Sequence, residues 1–465
     1  MTASALSSPV YREASSFRDP SGYLFWRDGE IYRYVAPAYA RQFARARESG
    51  LYAEGISRGW LLPFELADPK TTEPGNAIAI LKPRQIATIT YPYEWSFGQL
   101  KDAAILTLNL HLAALKHGMV LKDASAYNVQ FVDGRACFID HLSFDLLSEH
   151  GLWSAYGQFC RHFLAPLTLM SKIDLAFAKL SQLYLDGIPL DLASALLPRR
   201  TWLRPGLALH LHLHARMVRK HSGTRQRISI RSLSPERLSQ LAESLLALVR
   251  GLSAKDSATE WTGYYSDTNY SEAALEAKKR IVRDMVNRVA PQVMWDVGGN
   301  NGFFSHAVRD LAGQIICMDI DAACVDQNYA LCKRDEVTNI LPLVVDISNP
   351  SPGIGFSNRE RLSLEERSMP DQIMALALIH HLAIAKNIPF AQIARYFSEH
   401  GEYLLIEFVP KSDSQVQRLL LNRKDVFDDY NEENFRSAFS SQFAILDEKP
   451  IASSERSLFL MRRKR

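Results

Sequence analysis

Residues 293–305 read V-M-W-D-V-G-G-N-N-G-F-F-S, and this stretch decides how the second half of the chain folds. Val293, Met294 and Trp295 lead into Asp296, a glycine-rich turn follows, and apolar residues resume at Phe303. Such a pattern predicts a buried strand, a tight loop and the first turn of a helix. Gly298, Gly299 and Gly302 let the backbone turn sharply and approach a ligand without a Cβ in the way. The helix that opens behind them presents N–H groups with no intrahelical partner. A glycine-rich loop by itself suits many nucleotides, so the following segments carry the discrimination.

The dinucleotide fingerprint G-x-G-x-x-G is missing; the spacing is instead Asp296-x-Gly298-x-Asn300-x-Gly302. The next apolar run, Q-I-I-C-M-D-I (314–320), carries Asp319 near its end and Asp321 just beyond. A third, L-P-L-V-V-D, closes on Asp346. Asp371 opens D-Q-I-M-A-L-A-L-I-H-H-L, which predicts a fourth strand closing on His380 and His381, and E-Y-L-L-I-E-F-V-P (402–410) predicts a fifth. Five strand candidates separated by helical segments, three of them ending in carboxylates, make a far more specific pattern than the loop alone.

Over roughly residues 262–465 this pattern resembles class I S-adenosylmethionine-dependent methyltransferases, with Asn300 where the commoner residue is glycine. The resemblance implies a Rossmann-like α/β domain and S-adenosyl-L-methionine as cofactor. It places the loop of Asp296, Gly298, Gly299, Asn300 and Gly302 at the methionine part of the donor. Asp319 would accept the ribose diol and Asp346 would lie beside the adenine amino group. His380 and His381 would stand where acceptors meet the methyl group. One of them could deprotonate an acceptor hydroxyl or amine near neutral pH, or the pair could simply shape the pocket. The Asn/Asp-Pro-Pro-aromatic signature of N-methylation is absent at this strand, which argues against DNA amine methylation.

At 465 residues the chain is too long for one ordinary core, so two or three domains are expected. An apolar share of 47% with 23% charged residues is that of a soluble globular protein, and no run approaches a membrane span. Residues 1–20 lack a secretory signal and read as a flexible leader. Five scattered cysteines with no C-x-x-C pair fit a reducing cytoplasm and argue against a structural zinc site.

Residues 21–251 carry a second pattern. An aromatic hairpin about Asp28-Gly29 is followed by a helix from Ala38 to Gly50. Two strand candidates, W-L-L-P-F-E-L and Q-I-A-T-I-T-Y, precede a long apolar helix from Phe97 to His117. Next comes G-M-V-L-K-D-A-S-A-Y-N-V-Q-F-V-D-G-R-A-C-F-I-D-H, in which Asp123 and Asn128 stand five apart and Asp140 closes a small hairpin. This order resembles protein kinases and aminoglycoside phosphotransferases and implies an α+β kinase-like domain. Asp123 would then be the catalytic-loop Asp, and Asn128 and Asp140 weak candidates for metal. The departures are as telling: Leu121-Lys122 and His141-Leu142 replace the usual neighbours, no glycine-rich loop covers phosphates, and Arg33 stands roughly where a phosphate-pairing Lys belongs. Capping of turns by Asp123 and Asn128 is the alternative. Helices are predicted from Trp153 to Met170, split at Pro166, and from Ile173 to Leu185. His210, His212 and His214 read as satisfied histidines rather than metal ligands.

Charge is unevenly spread. Residues 1–250 hold 29 Lys and Arg against 21 Asp and Glu, and residues 251–465 hold 25 against 30. Between Arg199 and Arg237 ten basic residues face only Glu236. That segment reads as a solvated helix pair or as a surface for an anionic partner such as a phosphate, nucleic acid or lipid headgroup. With no aromatic interleaving beyond Trp202 the solvated reading is favoured, and nucleic acid is disfavoured. Residues 252–261 are the expected linker, and the aromatics that follow (Trp261, Tyr264, Tyr265, Tyr270, and later Tyr329) either shape the donor and acceptor pocket or pack an ordinary helix.

Taken whole, including L-K-D-A-S-A-Y-N (121–128) and E-F-V-P-K-S-D (407–413), the layout resembles two-part bacterial methyltransferases described as nodulation proteins of the NoeA type. The resemblance implies a methyltransferase with an unidentified acceptor whose kinase-like half recognises acceptor or ligand. A bifunctional protein that also transfers phosphate from ATP is the alternative.

Overall fold

The structure is a computed structural model that describes residues 10–68, 75–147, 153–221, 233–255, 272–421 and 424–464. The chain divides into two units. The first comprises Met1–Tyr93, Phe97–Lys255 and Gly353–Leu362; the second comprises Glu94–Ser96, Asp256–Pro352 and Ser363–Arg465.

In the first unit β1 (Tyr11–Arg12), β2 (Gly22–Arg27), β3 (Glu30–Val35), β4 (Phe64–Ala67) and β5 (Ala79–Pro83) form an antiparallel sheet in the order β1-β2-β3-β5-β4. Asp28 and Gly29 both take positive φ, 52° and 77°, which lets a two-residue turn follow the strand twist. Stacked cross-strand pairs, Tyr23 on Tyr34 and Phe25 on Tyr32, hold the hairpin in register. A buried helix, Phe97–Lys116, follows, and Gly118 behind it is left-handed at φ 71°. Beyond it, β6 (Met119–Leu121) pairs with β9 (Phe144–Leu146), and β7 (Val129–Val132) with β8 (Arg135–Phe138). The remainder of this unit is helical among the described residues.

Several expectations for this unit need correction. Of the expected flexible leader, residues 1–9 lie outside the described residues, and Tyr11–Arg12 form a strand. This strand, β1, pairs with the otherwise open edge of β2, Glu13 accepts the Trp26 indole N–H at 2.7 Å, and Ser16 Oγ accepts Leu24 N–H at 2.8 Å. The second expected strand is shifted: β5 falls on A-I-L-K-P, and Q-I-A-T-I-T-Y forms none. The side-chain amide of Gln130 pairs both ways with the Thr90 backbone, at 2.8 and 2.9 Å, and so takes the place of a strand partner. Pro166 does not break its helix, because a π-helical turn at Cys160–Leu164 joins Tyr156–Phe159 to Ala165–Lys172 and accommodates the ring. The helix expected from Ile173 to Leu185 is a 3-10 stretch, Leu175–Lys179, and one α-turn, Leu180–Leu183.

In the second unit β10 (Val293–Val297), β11 (Gln314–Asp319), β12 (Ile340–Val344), β13 (Gln372–Ala375) and β14 (Tyr403–Phe408) are parallel. With β15 (Phe443–Pro450) and β16 (Ser457–Arg463) they form one sheet in the order β12-β11-β10-β13-β14-β16-β15. Only β16 runs antiparallel to its neighbours on both sides. The unit also contains helices Glu272–Val289, Phe303–Val308, Ala322–Arg334, Phe390–His400 and Glu432–Gln442, with the shorter Leu364–Arg367 and Ser414–Leu420. β12 is buried along its whole length, and Met294, Ile315, Met374 and Leu405 pack with Val282 and Met285 in one core. Chain order reverses between β10 and β13, which opens a crevice beyond their carboxyl ends. This is the Rossmann-like arrangement expected for residues 262–465, with two strands beyond the five that were predicted.

The fourth strand is shorter than predicted. It stops at Ala375, Ala377 takes φ 50°, and the chain enters a π-helical turn at His381–Ala385. The carboxylate of buried Glu407 accepts the Ala377 N–H at 2.8 Å and draws that backbone out of the ladder. Trp261, Tyr264, Tyr265 and Tyr270, and residues 256–261 of the expected linker, lie outside the described residues. Tyr329 is buried on the helix Ala322–Arg334.

Candidate active site

The crevice at the reversal is lined by Asp296, Gly298, Gly299, Asn300, Asp319 and Asp346, all anticipated from sequence. The β10 loop is held open by close packing. Gly298 takes φ 75°, and Asn300 takes φ 52°, a conformation that asparagine tolerates better than most residues. A Cβ on Gly299 would stand 2.4 Å from Cys317 Sγ and 2.9 Å from Asp296 Oδ2, so a side chain has no room there. Gly302 does not line the crevice; it begins the helix Phe303–Val308 at φ 80°, pressed against Asn328.

Asp319, the last residue of β11, binds the loop in place. Its Oδ2 accepts the N–H of Asn300 and its Oδ1 that of Asp321, both at 2.8 Å. Each oxygen keeps a further lone pair for a ligand in the crevice. Asp296 is buried, accepts the Ser305 hydroxyl at 2.6 Å and lies 3.8 Å from Cys317 Sγ. Burial pushes both Asp296 and Asp319 up to about 6. Asp346 stands two residues past β12. Burial raises it, but the Ser348 hydroxyl and N–H on Oδ1 and the Lys386 ammonium 3.3 Å from Oδ2 more than offset this and hold it below the ordinary value.

The two histidines separate. His381 lines the crevice, and burial lowers it to about 4. His380 is fully buried, lies outside the crevice lining, and has neither ring nitrogen hydrogen-bonded. Burial lowers it well below the ordinary value. The expectation that both face the reacting groups from a strand end is therefore corrected: the π-helical turn after β13 presents one and turns the other inward.

Sequence reading missed the cations. Lys278, on the helix Glu272–Val289, lines the crevice and pairs with Glu407 at 2.6 Å, both side chains being almost wholly buried. Arg456 lies 3.4 Å from the other Glu407 oxygen and grips Asp413. Nothing local marks Lys278, because its place depends on β14 and β16 packing around it. Burial lowers its ammonium against the pull of Glu407.

In the first unit, Asp123, Asn128 and Asp140 do come near one another, but they are used internally. Arg33 pairs with Asp140, whose other oxygen accepts the Ser143 hydroxyl. Asn128 Nδ2 donates to Ser143 Oγ at 3.3 Å. Asp123 Oδ1 accepts the Ser125 N–H at 2.9 Å and Gln158 Nε2 at 2.8 Å. Burial, with Asp140 nearby, raises Asp123. Arg33 thus meets the carboxylate expected to hold metal rather than a phosphate. His210 and His212 are buried and hydrogen-bonded, to Tyr156 and Ser244 and to Ser194 and Thr201 respectively.

A Rossmann-like sheet with a glycine-lined loop at its reversal and a carboxylate at the tip of the adjoining strand is the arrangement implied by the resemblance to class I S-adenosylmethionine-dependent methyltransferases. The chain belongs to the family of nodulation protein NoeA. It is 35% identical over 461 residues to that protein of Rhizobium meliloti (strain 1021), across 97% of this chain and 96% of the relative. No family model matches it. Among solved structures, the N-methyltransferase NodS of Bradyrhizobium japonicum WM9 is 10% identical, across 42% of this chain and 99% of its own, at a TM-score of 0.32. The bifunctional kinase-methyltransferase WbdD is 15% identical, across 47% of this chain and 46% of its own, at 0.30.

Proposed function

We propose that the crevice holds S-adenosyl-L-methionine with its ribose on Asp319, its adenine near Asp346 and its methionine part along Gly298–Asn300. An unidentified acceptor then presents oxygen or nitrogen beside His381. The carrying observation is Asp319, a crevice carboxylate aimed by two backbone N–H groups with lone pairs to spare. When bound, the donor supplies a methyl group activated by its sulfonium leaving group. The protein's part is then to position and desolvate the partners. Asp296 and Asp319 supply negative potential next to a cationic ligand. Neutral His381, held near 4, is a weak base at pH 7, which suits orienting an acceptor proton better than removing it from an alcohol.

For the first unit the reading is recognition of the acceptor or a regulatory ligand, without phosphoryl transfer. Its support is the ion pair between Arg33 and Asp140, which occupies the carboxylate that magnesium would need. The test is transfer of labelled methyl from the donor into fractionated cell extract. Label should enter one chemical class of acceptor, and Asp319→Ala should abolish it. Equal labelling by that variant would overturn the reading.

A further inference from the structure

The helical part of the first unit contains a stretch, residues 205–221, that folding leaves half outside. Pro205–Leu207, the π-helical turn Ala208–Leu213 and His214–His221 follow one another without a break. One face is buried through Leu207, Leu211 and Ala215. On the other, Leu209, Leu213 and Met217 recur every fourth residue and are 54%, 42% and 62% exposed. Leu203, just before this stretch, is 85% exposed. Single exposed leucines are ordinary, but a row of them along one helix asks for a covering partner.

The charges say what kind. Arg216 and Lys220 stand three residues beyond Leu213 and Met217, which puts them on the same side of the helix. Arg200 and Arg204 are exposed next to Leu203. No acidic residue occurs between Asp191 and Glu236, and among the described residues no carboxylate pairs with Arg200, Arg204 or Lys220. Lys172 lies near two of these cations: burial lowers it first, and Arg204 and Arg200 lower it further. Trp202 lies at the same surface, stacked on His212 with Arg216 over its ring at 4.3 Å.

We propose that this face docks on an anionic lipid bilayer, with Leu203, Leu209, Leu213 and Met217 entering the headgroup boundary and the flanking arginines and Lys220 meeting lipid phosphates. Apolar residues alternating with cations along one exposed face fit an interface in which depth changes from hydrocarbon to phosphate. A nucleic acid would use the cations and leave the leucines in water. An acidic protein surface would need an apolar groove of its own. The membrane answers both features at once. No helix among the described residues is long and apolar enough to cross it, so the attachment is peripheral.

The full-length protein should sediment with vesicles of phosphatidylglycerol and phosphatidylcholine and stay in solution with phosphatidylcholine alone. Binding should weaken about tenfold or more in a Leu209→Ser, Leu213→Ser, Met217→Ser variant and again in an Arg216→Gln, Lys220→Gln variant, with unchanged circular dichroism. High salt should weaken the wild type. Failure to sediment with anionic vesicles would overturn the proposal. So would undiminished binding by the serine variant, or a serine variant that changes only the oligomeric state. RNA binding lost in the glutamine variant but kept in the serine variant, with no vesicle binding, would assign the cations to nucleic acid instead. Because donor binding is read separately, none of these outcomes bears on the methyltransferase crevice.

Discussion

Asp319 Oδ2 accepts the backbone N–H of Asn300 at 2.8 Å, tying the tip of β11 to the left-handed turn of the β10 loop. One carboxylate thus shapes the glycine-lined wall of the crevice and lines the crevice itself.

That turn sets the first expectation. Asn300→Gly relieves a positive φ and should change stability by less than about 1 kcal/mol, while Asn300→Val should destabilise by about 1–2 kcal/mol. Gly299→Ala should cost more than either Asn300 substitution, because its Cβ meets Cys317 and Asp296. Urea unfolding of the three variants ranks them. An Asn300→Val protein as stable as wild type would contradict the geometry.

Asp296 links stability to pH. Its folded value of about 6 lies above the ordinary 3.8, so the folded state holds the proton more tightly. The stability this contributes is complete below 3.8 and lost as pH rises through 6. Asp296→Asn should therefore stabilise the free protein by about 1–3 kcal/mol at pH 7.5 and by much less at pH 4.5. Thermal unfolding at the two pH values gives the comparison, and an equal gain at both would remove the buried charge as the cause.

How much of this was legible beforehand varies with how local the cause is. The β10 loop and Asp319 were readable because strand, turn and carboxylate follow one another within one segment. Lys278 and Glu407 were not, because nothing in either segment shows that the helix Glu272–Val289 and β14 will face each other. β15 also escaped: F-A-I-L-D-E-K-P is largely exposed at the sheet edge and carries charged residues that a buried strand would exclude. His380 and His381 were placed on a strand that Glu407 cuts short from a distance. The spacing of Asp123, Asn128 and Asp140 resembles a kinase motif in the sequence, yet only the folded chain shows Arg33 against Asp140.

That ion pair carries its own expectation. Arg33→Ala would leave the half-buried Asp140 carboxylate without its cation and should destabilise the protein by about 1–3 kcal/mol, with Arg33→Ala, Asp140→Asn recovering part of the loss. Hydrolysis of or transfer from ATP with magnesium should remain at background. Turnover that vanishes in Asp123→Ala would make the protein bifunctional.

The most direct test of the account is calorimetric titration of the full-length protein with S-adenosyl-L-methionine, wild type against Asp319→Ala. Charge-assisted hydrogen bonds from the ribose diol are worth about 1.5–3 kcal/mol, so the variant should bind roughly tenfold to a hundredfold more weakly while keeping its circular dichroism spectrum. Wild-type affinity should also fall as pH drops below about 6, where Asp319 takes up a proton. Unchanged affinity in a well-folded Asp319→Ala protein would contradict the placement of the donor on this carboxylate.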